Sequence, residues 1–309
     1  SDGAPNLAFS GVNAVVRFLA RVSVSGHRGQ IRGLGGVSGA GKSVTALATV
    51  GLQSGEAQVG GSVRLAGDEL LNNSHRMWRK VRGVRIGFVF QDASTALNPV
   101  LTIGIQLKEA LKLRRFKSDD TTQEMIDLLT KLEVSEPEIR MGQYPQQLSG
   151  GLRQRIHIAI AIAADPEIII ADEPTSSLDV TIQAQILELL RSLVIDQGKA
   201  LLMITHDLGV VAEMADRVGV MYLGRIIELG PADRVISEPR HPYTVDLLTA
   251  LPSVNQHRSF LRAIPGSIPD PQDRPGGCAY HDRCAMSEDR EKCLKEKPKL
   301  IEVDPGRWS

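Results

Sequence analysis

The stretch "GVSGAGKS", residues 36–43, decides the fold, because it matches the pattern G-x-x-x-x-G-K-[S/T] in full. Glycines let backbone N–H groups turn towards phosphate oxygens, and a helix that starts at Ser43 directs its positive dipole end to the same place. Lys42 adds a point charge for the β- and γ-phosphates, and the Ser43 hydroxyl is a ligand for Mg²⁺. The pattern predicts a strand, a phosphate-binding loop (the P-loop) and a helix. Its candidate phosphate-binding residues are Gly36, Ser38, Gly39, Gly41, Lys42, Ser43 and Val44.

The sequence after the P-loop alternates short apolar runs with helical patterns, which is typical of a mostly parallel sheet with helices on its faces. The predicted strands are 86–90, 168–171, 200–205 and 218–221. The predicted helices are 43–52, 152–163, 181–196 and 208–215. Between residues 95 and 166 the pattern is helical without an obvious strand. We therefore expect an α/β core with an inserted helical subdomain.

Composition and charge restrict the class of protein. Of the 309 residues, 42% are hydrophobic and 23% are charged, as in ordinary folded proteins. Lys+Arg and Asp+Glu both number 36, and the resulting net charge of zero disfavours a protein that coats nucleic acid. No apolar run approaches the roughly 18 residues that a membrane helix needs, and the first residues do not resemble a signal peptide. These features predict a cytoplasmic protein without a nucleic-acid partner.

Two carboxylates end one of the predicted strands. In "IIIADEP", residues 168–174, Asp172 and Glu173 follow a run of isoleucines. A buried strand with this ending can present both groups at a phosphate site. Asp172 would hold Mg²⁺, and Glu173 would accept a proton from the attacking water as the general base. Taken alone, the motif is equally compatible with an acidic turn that has no function.

The P-loop alone leaves kinases, GTPases and many ATPases open, and the stretch "LSGGLRQR", residues 148–155, decides the class. Ser149, Gly150 and Gly151 stand at the start of a predicted helix, so they form a second helix end that can bind an anion. Two such ends in one chain suggest two half-sites, each completed by a partner. Here the sequence resembles the ABC ATPase family, whose signature motif this is. The resemblance implies a head-to-tail dimer in which this motif covers ATP bound to the P-loop of the other subunit.

Further motifs follow in the order that the family shows. Gln91 in "FVFQD" resembles the Q-loop glutamine, which senses Mg²⁺ and couples to the membrane subunits. Asp179 in "SSLD" resembles the D-loop aspartate of the dimer interface, and His206 in "LLMITHD" resembles the switch histidine that contacts the γ-phosphate. The resemblance thus implies ATP and Mg²⁺ as cofactors. It implies Glu173, His206 and Gln91 as catalytic residues and Ser43, Gln91 and Asp172 as ligands of Mg²⁺.

One aromatic residue is a candidate contact for adenine. The family has an aromatic residue about 27 positions before the P-loop, and Phe9 fits that count. Residues 10–35 match the family pattern poorly, with Arg32 where an apolar residue is usual. For Phe9, packing in the core is therefore the alternative to adenine binding.

Longer stretches resemble one branch of the family, the oligopeptide/dipeptide importers. They are "QDASTALNPVLTIG" (91–104), "RHPYTVDLLTALP" (240–252) and "IPGSIPDP" (264–271). The resemblance implies an ATPase that powers import of peptides, nickel chelates, glutathione or related small solutes. It also implies a peripheral position on the cytoplasmic face of the membrane. The implied partners are two permease subunits, a second and similar ATPase in a heterodimer, and an external solute-binding protein.

The end of the chain differs in composition, because ten of the 16 prolines lie from Pro231 onward. Proline at this density favours irregular structure. We predict an ATPase domain over residues 1–254, with its helical subdomain at about 95–166, and an irregular cysteine-bearing C-terminal region over residues 255–309.

Three cysteines in this C-terminal region, Cys278, Cys284 and Cys293, form the pattern C-x5-C-x8-C. Many members of the resembling branch have a similar tail with a fourth cysteine about 18 residues later, and some bind a [4Fe–4S] cluster there, for which four thiolates are the usual ligands. The fourth would fall just past Ser309, so we expect the natural chain to continue. Zinc bound with His281, or free structural thiols, are the alternatives.

A soluble ABC ATPase of DNA repair or translation is the rival interpretation. Repair-type members have long coiled-coil insertions between the P-loop and the signature, whereas 107 residues separate Lys42 from Ser149 here. Translation-type members usually hold two cassettes, and this chain has one set of motifs. A nucleotide-binding module without turnover is disfavoured by Glu173 and His206. The transporter interpretation is therefore preferred.

Overall fold

The structure is a computed structural model that describes most of the chain. The described residues are 6–14, 19–53, 57, 59–71, 73–114, 121–176, 178–250, 264–270, 274–287 and 291–309, with side chains described from Val22 onward. Among these residues, no helix has both the length and the apolar character that crossing a membrane requires.

Strands and helices alternate along the chain. The strands are β1 (Asn6–Ala14), β2 (Leu19–His27), β3 (Ile31–Gly35), β4 (Val59–Leu65), β5 (Asp68–Glu69), β6 (Ile86–Val89), β7 (Ile168–Asp172), β8 (Ala200–Thr205), β9 (Arg217–Tyr222), β10 (Arg225–Pro231), β11 (Glu302–Asp304) and β12 (Arg307–Trp308). The helices are α1 (Lys42–Thr49), α2 (His75–Trp78), α3 (Ala93–Ala96), α4 (Ile103–Leu111), α5 (Thr121–Lys131), α6 (Pro137–Met141), α7 (Gly150–Ile162), α8 (Val180–Ile195), α9 (Leu208–Met214), α10 (Ala232–Ser237), α11 (Pro242–Thr249) and α12 (Glu291–Lys295). Single 3₁₀ turns occur at Pro145–Gln147 and His281–Arg283.

The chain divides into two compact units. The signature unit comprises Ser1–Leu7, Gly26–Ile31 and Leu65–Ile204, and it holds the signature motif and the Asp172–Glu173 pair. The P-loop unit comprises Ala8–Ser25, Arg32–Arg64 and Thr205–Ser309.

The signature unit is built on parallel strands. β6 pairs with β7 and β7 pairs with β8, both in parallel. Every residue of β7 and β8 is buried, as is typical of strands covered on both faces, and the isoleucines of β7 are stiff β-branched side chains that suit such a position. The described residues between 95 and 166 contain helices and no strand, as the sequence predicts. The predicted strands and helices of this unit are confirmed within one or two residues at each end.

The P-loop unit contains both parallel and antiparallel pairs. β3 pairs with β9 in parallel, β9 pairs with β10 and β10 with β12 in antiparallel fashion, and β12 pairs with β11. In a second sheet, β2, β1 and β4 lie side by side. α1 follows β3 directly, with the P-loop between them.

The C-terminal region contributes to the core of the P-loop unit. Tyr280 is fully buried in one cluster with Val220 and Tyr222 of β9 and with Tyr243 of α11. The final strands β11 and β12 extend the sheet beyond β10. The described residues after 264 therefore include short regular elements between their irregular segments.

Candidate functional site

The backbone conformation of the P-loop requires glycine at two positions. Gly36 has φ 148°, and a Cβ at this position would lie 2.4 Å from the backbone oxygen of Met221. Gly41, the N-cap of α1, has φ 100°, in the left-handed region that favours glycine. The Ala40 carbonyl accepts a hydrogen bond from the Gly224 N–H at 2.7 Å, which ties the loop to the turn after β9. The loop can therefore lead directly from β3 into α1.

Lys42 is the first residue of α1 and is 4% exposed. Its ammonium donates to the carbonyl oxygens of Gly36 at 2.8 Å and of Val37 at 3.1 Å. The loop thus holds this charge across its own turn, where phosphate oxygens bind in P-loop proteins. Around it, Ser38 and Gly39 are exposed, and Ser43 and Val44 are half-buried.

The carboxylates of Asp172 and Glu173 lie at the end of β7 and are 5% and 8% exposed. Gln91, which follows β6, donates from Nε2 to Glu173 Oε2 at 3.0 Å. The Glu173 backbone has φ 46°, an unusual value for a non-glycine residue, and its N–H donates to the Ile204 carbonyl at 2.8 Å. Strain of this kind is often found at functional positions. Two residues predicted from separate motifs therefore meet in one hydrogen bond.

The signature motif caps the long helix α7. Ser149 is the N-cap, and its Oγ accepts a hydrogen bond from the Leu152 N–H at 3.4 Å. Ser149 and Gly150 are exposed, whereas a Cβ on Gly151 would lie 2.9 Å from Ile182 Cγ2 of α8. The close approach of α7 and α8 requires the second glycine, and the first leaves the helix end open to solvent.

The other predicted residues also lie at the ends of elements. Asp179 is exposed and caps α8, where its Oδ1 accepts from the Ile182 N–H at 3.0 Å. His206 is exposed directly after β8. The backbone of Phe9 lies in β1, but its side chain lies outside the described residues, so its contact with adenine stays a prediction.

A buried histidine on α7 was not predicted from the sequence. His157 is 4% exposed and stacks on Phe90, the residue before Gln91, with ring centroids 5.9 Å apart. Burial lowers its pKa from 6.5 to about 4, although the Asp92 charge acts in the opposite direction. The ring therefore packs in its neutral form. The sequence shows that His157 lies in an apolar helical pattern, which could have indicated its burial. The pattern does not indicate that its ring would stack on Phe90.

The three cysteines lie in the P-loop unit and are half-buried free thiols. They line one cavity of about 530 Å³ together with His241, Tyr280 and lysines at 292, 297 and 299. Among the described residues, no group of three or more His, Cys, Asp or Glu side chains is arranged to hold a metal ion. Burial raises the pKa of the Cys278 thiol, which favours the thiol over the metal-binding thiolate. As described, these residues do not form a complete cluster site.

Comparisons with known proteins agree with the motifs. The profile of the ABC transporter family matches residues 19–176. The chain belongs to the ABC transporter family. A second profile, that of the oligopeptide/dipeptide transporter C-terminal region, matches residues 227–293 of this ABC transporter chain.

Two relatives of this ABC transporter chain have transport functions in their names. The dipeptide transport ATP-binding protein DppD of Escherichia coli is 43% identical over 303 residues, which cover 97% of this chain and 92% of DppD. The oligopeptide transport ATP-binding protein AppD of Bacillus subtilis is 44% identical over 283 residues, covering 91% and 86%. These relatives support the ATP-binding-subunit interpretation over nearly the whole chain.

A solved structure supports the fold. The ATP-binding cassette MJ0796, in a dimeric post-hydrolysis state bound to ADP and Pi, has a TM-score of 0.65 and 26% identity. The match covers 73% of this chain and 98% of that cassette. The predicted fold, an ABC-type α/β P-loop ATPase core with a helical subdomain, is therefore confirmed.

Proposed function

We propose that this chain binds and hydrolyses ATP to power the import of peptides or related small solutes. The observation that carries the proposal is the buried Glu173 carboxylate, which Gln91 holds by a 3.0 Å hydrogen bond at the end of β7. The names of DppD and AppD support peptides as the solute class, with nickel chelates and glutathione as further candidates. The C-terminal match at residues 227–293 disfavours a soluble ATPase of DNA repair or translation.

Different residues of the chain have different roles in binding and hydrolysing the nucleotide. ATP, when bound, supplies the phosphoanhydride bond that is cleaved. Lys42 and the N–H groups of the P-loop bind its phosphates, with Phe9 as the candidate contact for adenine. Ser43, Asp172 and Gln91 would hold Mg²⁺, and Glu173 would accept the proton of the attacking water through its carboxylate. His206 would contact the γ-phosphate. The order of the motifs and the family membership support these roles.

The signature residues act on a second nucleotide in this proposal. Ser149, Gly150 and Gly151 cover the ATP of a paralogous ATPase, and Asp179 lies at the interface between the two. The dimeric state of MJ0796 supports this arrangement. Two permease subunits and an extracytoplasmic binding protein complete the transporter, which would hold this chain as a peripheral subunit on the cytoplasmic face of the membrane, without a nucleic-acid partner. We further propose the division into an ATPase domain (1–254) and a transporter C-terminal region (255–309). The profile match at residues 227–293 supports a distinct C-terminal region and begins before the proposed boundary.

The Glu173→Gln substitution tests hydrolysis. It keeps the shape of the side chain and removes the base, so we expect ATP affinity to stay within about twofold. Turnover should fall by roughly 10²–10⁴-fold, the range that general bases contribute. The control is Glu188→Gln on α8, which neutralises a carboxylate outside the predicted motifs and should leave turnover unchanged. Near-normal hydrolysis by Glu173→Gln would exclude Glu173 as the base.

Copurification tests the transporter assignment. The tagged chain, purified from detergent-solubilised membranes, is expected to bring two permeases, a second ATPase and a binding protein. Recovery only with ribosomes or DNA would contradict import.

The cysteine cavity supports a separate proposal, that a [4Fe–4S] cluster binds there together with a fourth ligand that the described residues do not supply. Four thiolates are the usual set, and three are present. Iron and acid-labile sulfide should copurify with the protein under anaerobic conditions. Absence of both would exclude the cluster and leave zinc or free thiols.

A further inference from the structure

One tyrosine from a distant segment of the P-loop unit contacts the P-loop directly. Tyr243, the second residue of α11, is fully buried in the P-loop unit. Its ring packs against those of Tyr222 and Tyr280, with centroids 4.7 Å and 5.3 Å away. Its hydroxyl oxygen accepts a hydrogen bond from the Val37 N–H at 3.0 Å. A residue 206 positions after the loop is thus in contact with its backbone.

The peptide bond that Tyr243 contacts also binds the P-loop lysine. The Val37 N–H and the Gly36 carbonyl belong to one planar peptide unit and point in opposite directions. The N–H donates to Tyr243, and the carbonyl accepts from Lys42 Nζ at 2.8 Å. The orientation of this plane therefore determines where the Gly36 carbonyl holds the ammonium.

We propose that Tyr243 is a positioning residue for ATP binding, because its hydroxyl fixes the Gly36–Val37 peptide plane and through it the Lys42 ammonium. The proposal rests on the P-loop being the ATP-binding loop. Without the hydroxyl, the half-buried Val37 N–H loses its partner, and the plane gains freedom to rotate. A hydrogen bond at the N–H also strengthens the carbonyl of the same plane as an acceptor.

The position of Tyr243 is itself fixed. Its N–H donates to His241 Nδ1 at 3.1 Å, which caps α11. The His241 and Arg240 N–H groups donate to the Glu228 carboxylate, which is fully buried and pairs with Arg307 of β12 at 3.0 Å. Burial raises the pKa of the Tyr243 hydroxyl to about 12, so the group stays neutral at physiological pH. The hydroxyl therefore stays at one distance from the loop and in one protonation state.

Tyr280 provides a matched control in the same ring cluster. It is 1% exposed, and its hydroxyl donates to Asp246 Oδ2 of α11 at 2.5 Å, with no P-loop contact among the described hydrogen bonds. Tyr280→Phe and Tyr243→Phe each remove one buried hydroxyl and keep the ring. A general effect of packing should appear in both variants, whereas an effect through the P-loop should appear only in Tyr243→Phe.

The experiment compares both variants with the wild type as full-length chains. Amide hydrogen exchange across residues 36–40 is measured without nucleotide, and ATP affinity is measured by equilibrium dialysis. We expect Tyr243→Phe to speed exchange of the Val37 amide about tenfold and to weaken ATP binding about three- to tenfold, the range for one neutral hydrogen bond. Tyr280→Phe should match the wild type in both measurements.

Each other outcome overturns the proposal in a distinct way. Equal ATP affinities in the two variants, or faster exchange without weaker binding, would remove the positioning role. A wild-type chain that does not bind ATP would overturn the proposed function as well. If Tyr243→Phe does not fold, Val37 can be replaced with its α-hydroxy acid. This replacement removes the Val37 N–H, the donor of the same hydrogen bond, and leaves Tyr243 intact. That variant should show the same three- to tenfold loss, and unchanged affinity would contradict the proposal.

Discussion

Two helices of this chain begin at glycine-containing loops, and the two helix ends differ in how they are completed. At α1 the N-cap is Gly41 in a left-handed conformation, with no side-chain cap, and the buried Lys42 fills the turn of the loop. At α7 the N-cap is Ser149, which satisfies an N–H with its own hydroxyl, and Gly150 next to it is exposed. At the first end, the loop itself holds the positive charge of Lys42, which can bind phosphate. The second end has a hydroxyl cap and an exposed glycine, which fits a role in covering a nucleotide bound elsewhere.

The backbone around each end shows the same difference. Within its unit, the P-loop lies close to the Met221 backbone at Gly36, where a side chain would not fit, and its Val37 N–H is held by Tyr243. The signature end packs against α8 on one side, where Gly151 lies close to Ile182. On the other side, Ser149 and Gly150 are exposed to solvent. We infer that substitutions at the P-loop disturb the chain's own ATP binding, whereas substitutions at Gly150 disturb only the assembled transporter.

The largest effect is expected for Gly36→Ala. The new Cβ would lie 2.4 Å from a backbone oxygen, and φ 148° is unfavourable for alanine, so the loop must move. We expect ATP affinity to fall by more than about 100-fold, equivalent to about 2.7 kcal/mol. Gly39→Ala is the control, because nothing lies within 4 Å of its Cβ and only its φ of 80° opposes alanine. Equal losses in the two variants would contradict the packing argument.

The free energy of unfolding should depend on pH through His157, which is buried on the signature helix α7. The pKa of His157 is about 4 in the folded chain and 6.5 when unfolded, so below pH 6.5 the unfolded chain binds a proton that the folded chain does not. The free energy of unfolding should therefore fall as the pH decreases from about 6.5 to 4, by up to about 3 kcal/mol at 1.4 kcal/mol per pKa unit. Denaturant titrations at several pH values measure this change.

The matched variant for that pH effect is His157→Leu, which removes the titrating group and keeps an apolar side chain on α7. The difference between wild type and variant isolates His157 from His241, whose pKa burial also lowers. An identical pH dependence in both proteins would show that His157 is not the cause.

The two glycines of the signature motif should respond differently to alanine. In Gly151→Ala the Cβ lies 2.9 Å from Ile182, and overpacking of this kind costs about 1–3 kcal/mol, partly offset by a gain in helix propensity of up to about 1 kcal/mol. In Gly150→Ala the nearest atom is 3.7 Å away, an ordinary contact, so the free energy of unfolding should stay the same or rise slightly. Equal destabilisation would contradict the close approach of α7 and α8.

The smallest effect is expected at the helix caps. Ser149→Ala should lower the free energy of unfolding by about 0.5 kcal/mol, the low end for N-caps, because its hydrogen bond is long at 3.4 Å. Asp179→Ala at the start of α8 removes a 3.0 Å bond and should cost about 1 kcal/mol. Thermal or denaturant unfolding gives both values, and the reverse order would indicate that the cap geometry does not determine the cost.

Local patterns were sufficient to predict the elements that carry the motifs. The P-loop, the isoleucine strand β7 and the start of α7 depend on residues close in sequence. The structure has these elements within two residues of the predicted bounds, except that α1 ends at Thr49 and not at residue 52. The hydrogen bond between Gln91 and Glu173 follows from the parallel pairing of β6 and β7, whose ends lie at one edge of the sheet.

Contacts between distant segments could not be predicted. Tyr243 and Val37 lie 206 positions apart, and nothing in "RHPYTVDLL" indicates which backbone group its tyrosine meets. Likewise, His157 lies within the apolar helical pattern of α7, but that pattern does not indicate that its ring is buried against Phe90. The resemblance of the cysteine tail implies a metal site, with free structural thiols as an alternative; in the structure the thiols line a cavity without forming a ligand set among the described residues.

The different roles of the helix ends at α1 and α7 are tested most directly by measuring the ATP affinity of the isolated chain. Two variants are compared with the wild type, Lys42→Ala and Gly150→Arg. Gly150 is exposed, so arginine fits there and adds bulk where the partner's nucleotide is expected. We expect Lys42→Ala to lose ATP binding. Gly150→Arg should bind ATP like the wild type and lose hydrolysis only in the assembled transporter. Loss of ATP binding in the isolated Gly150→Arg chain would contradict the account, because the signature end would then serve the chain's own nucleotide.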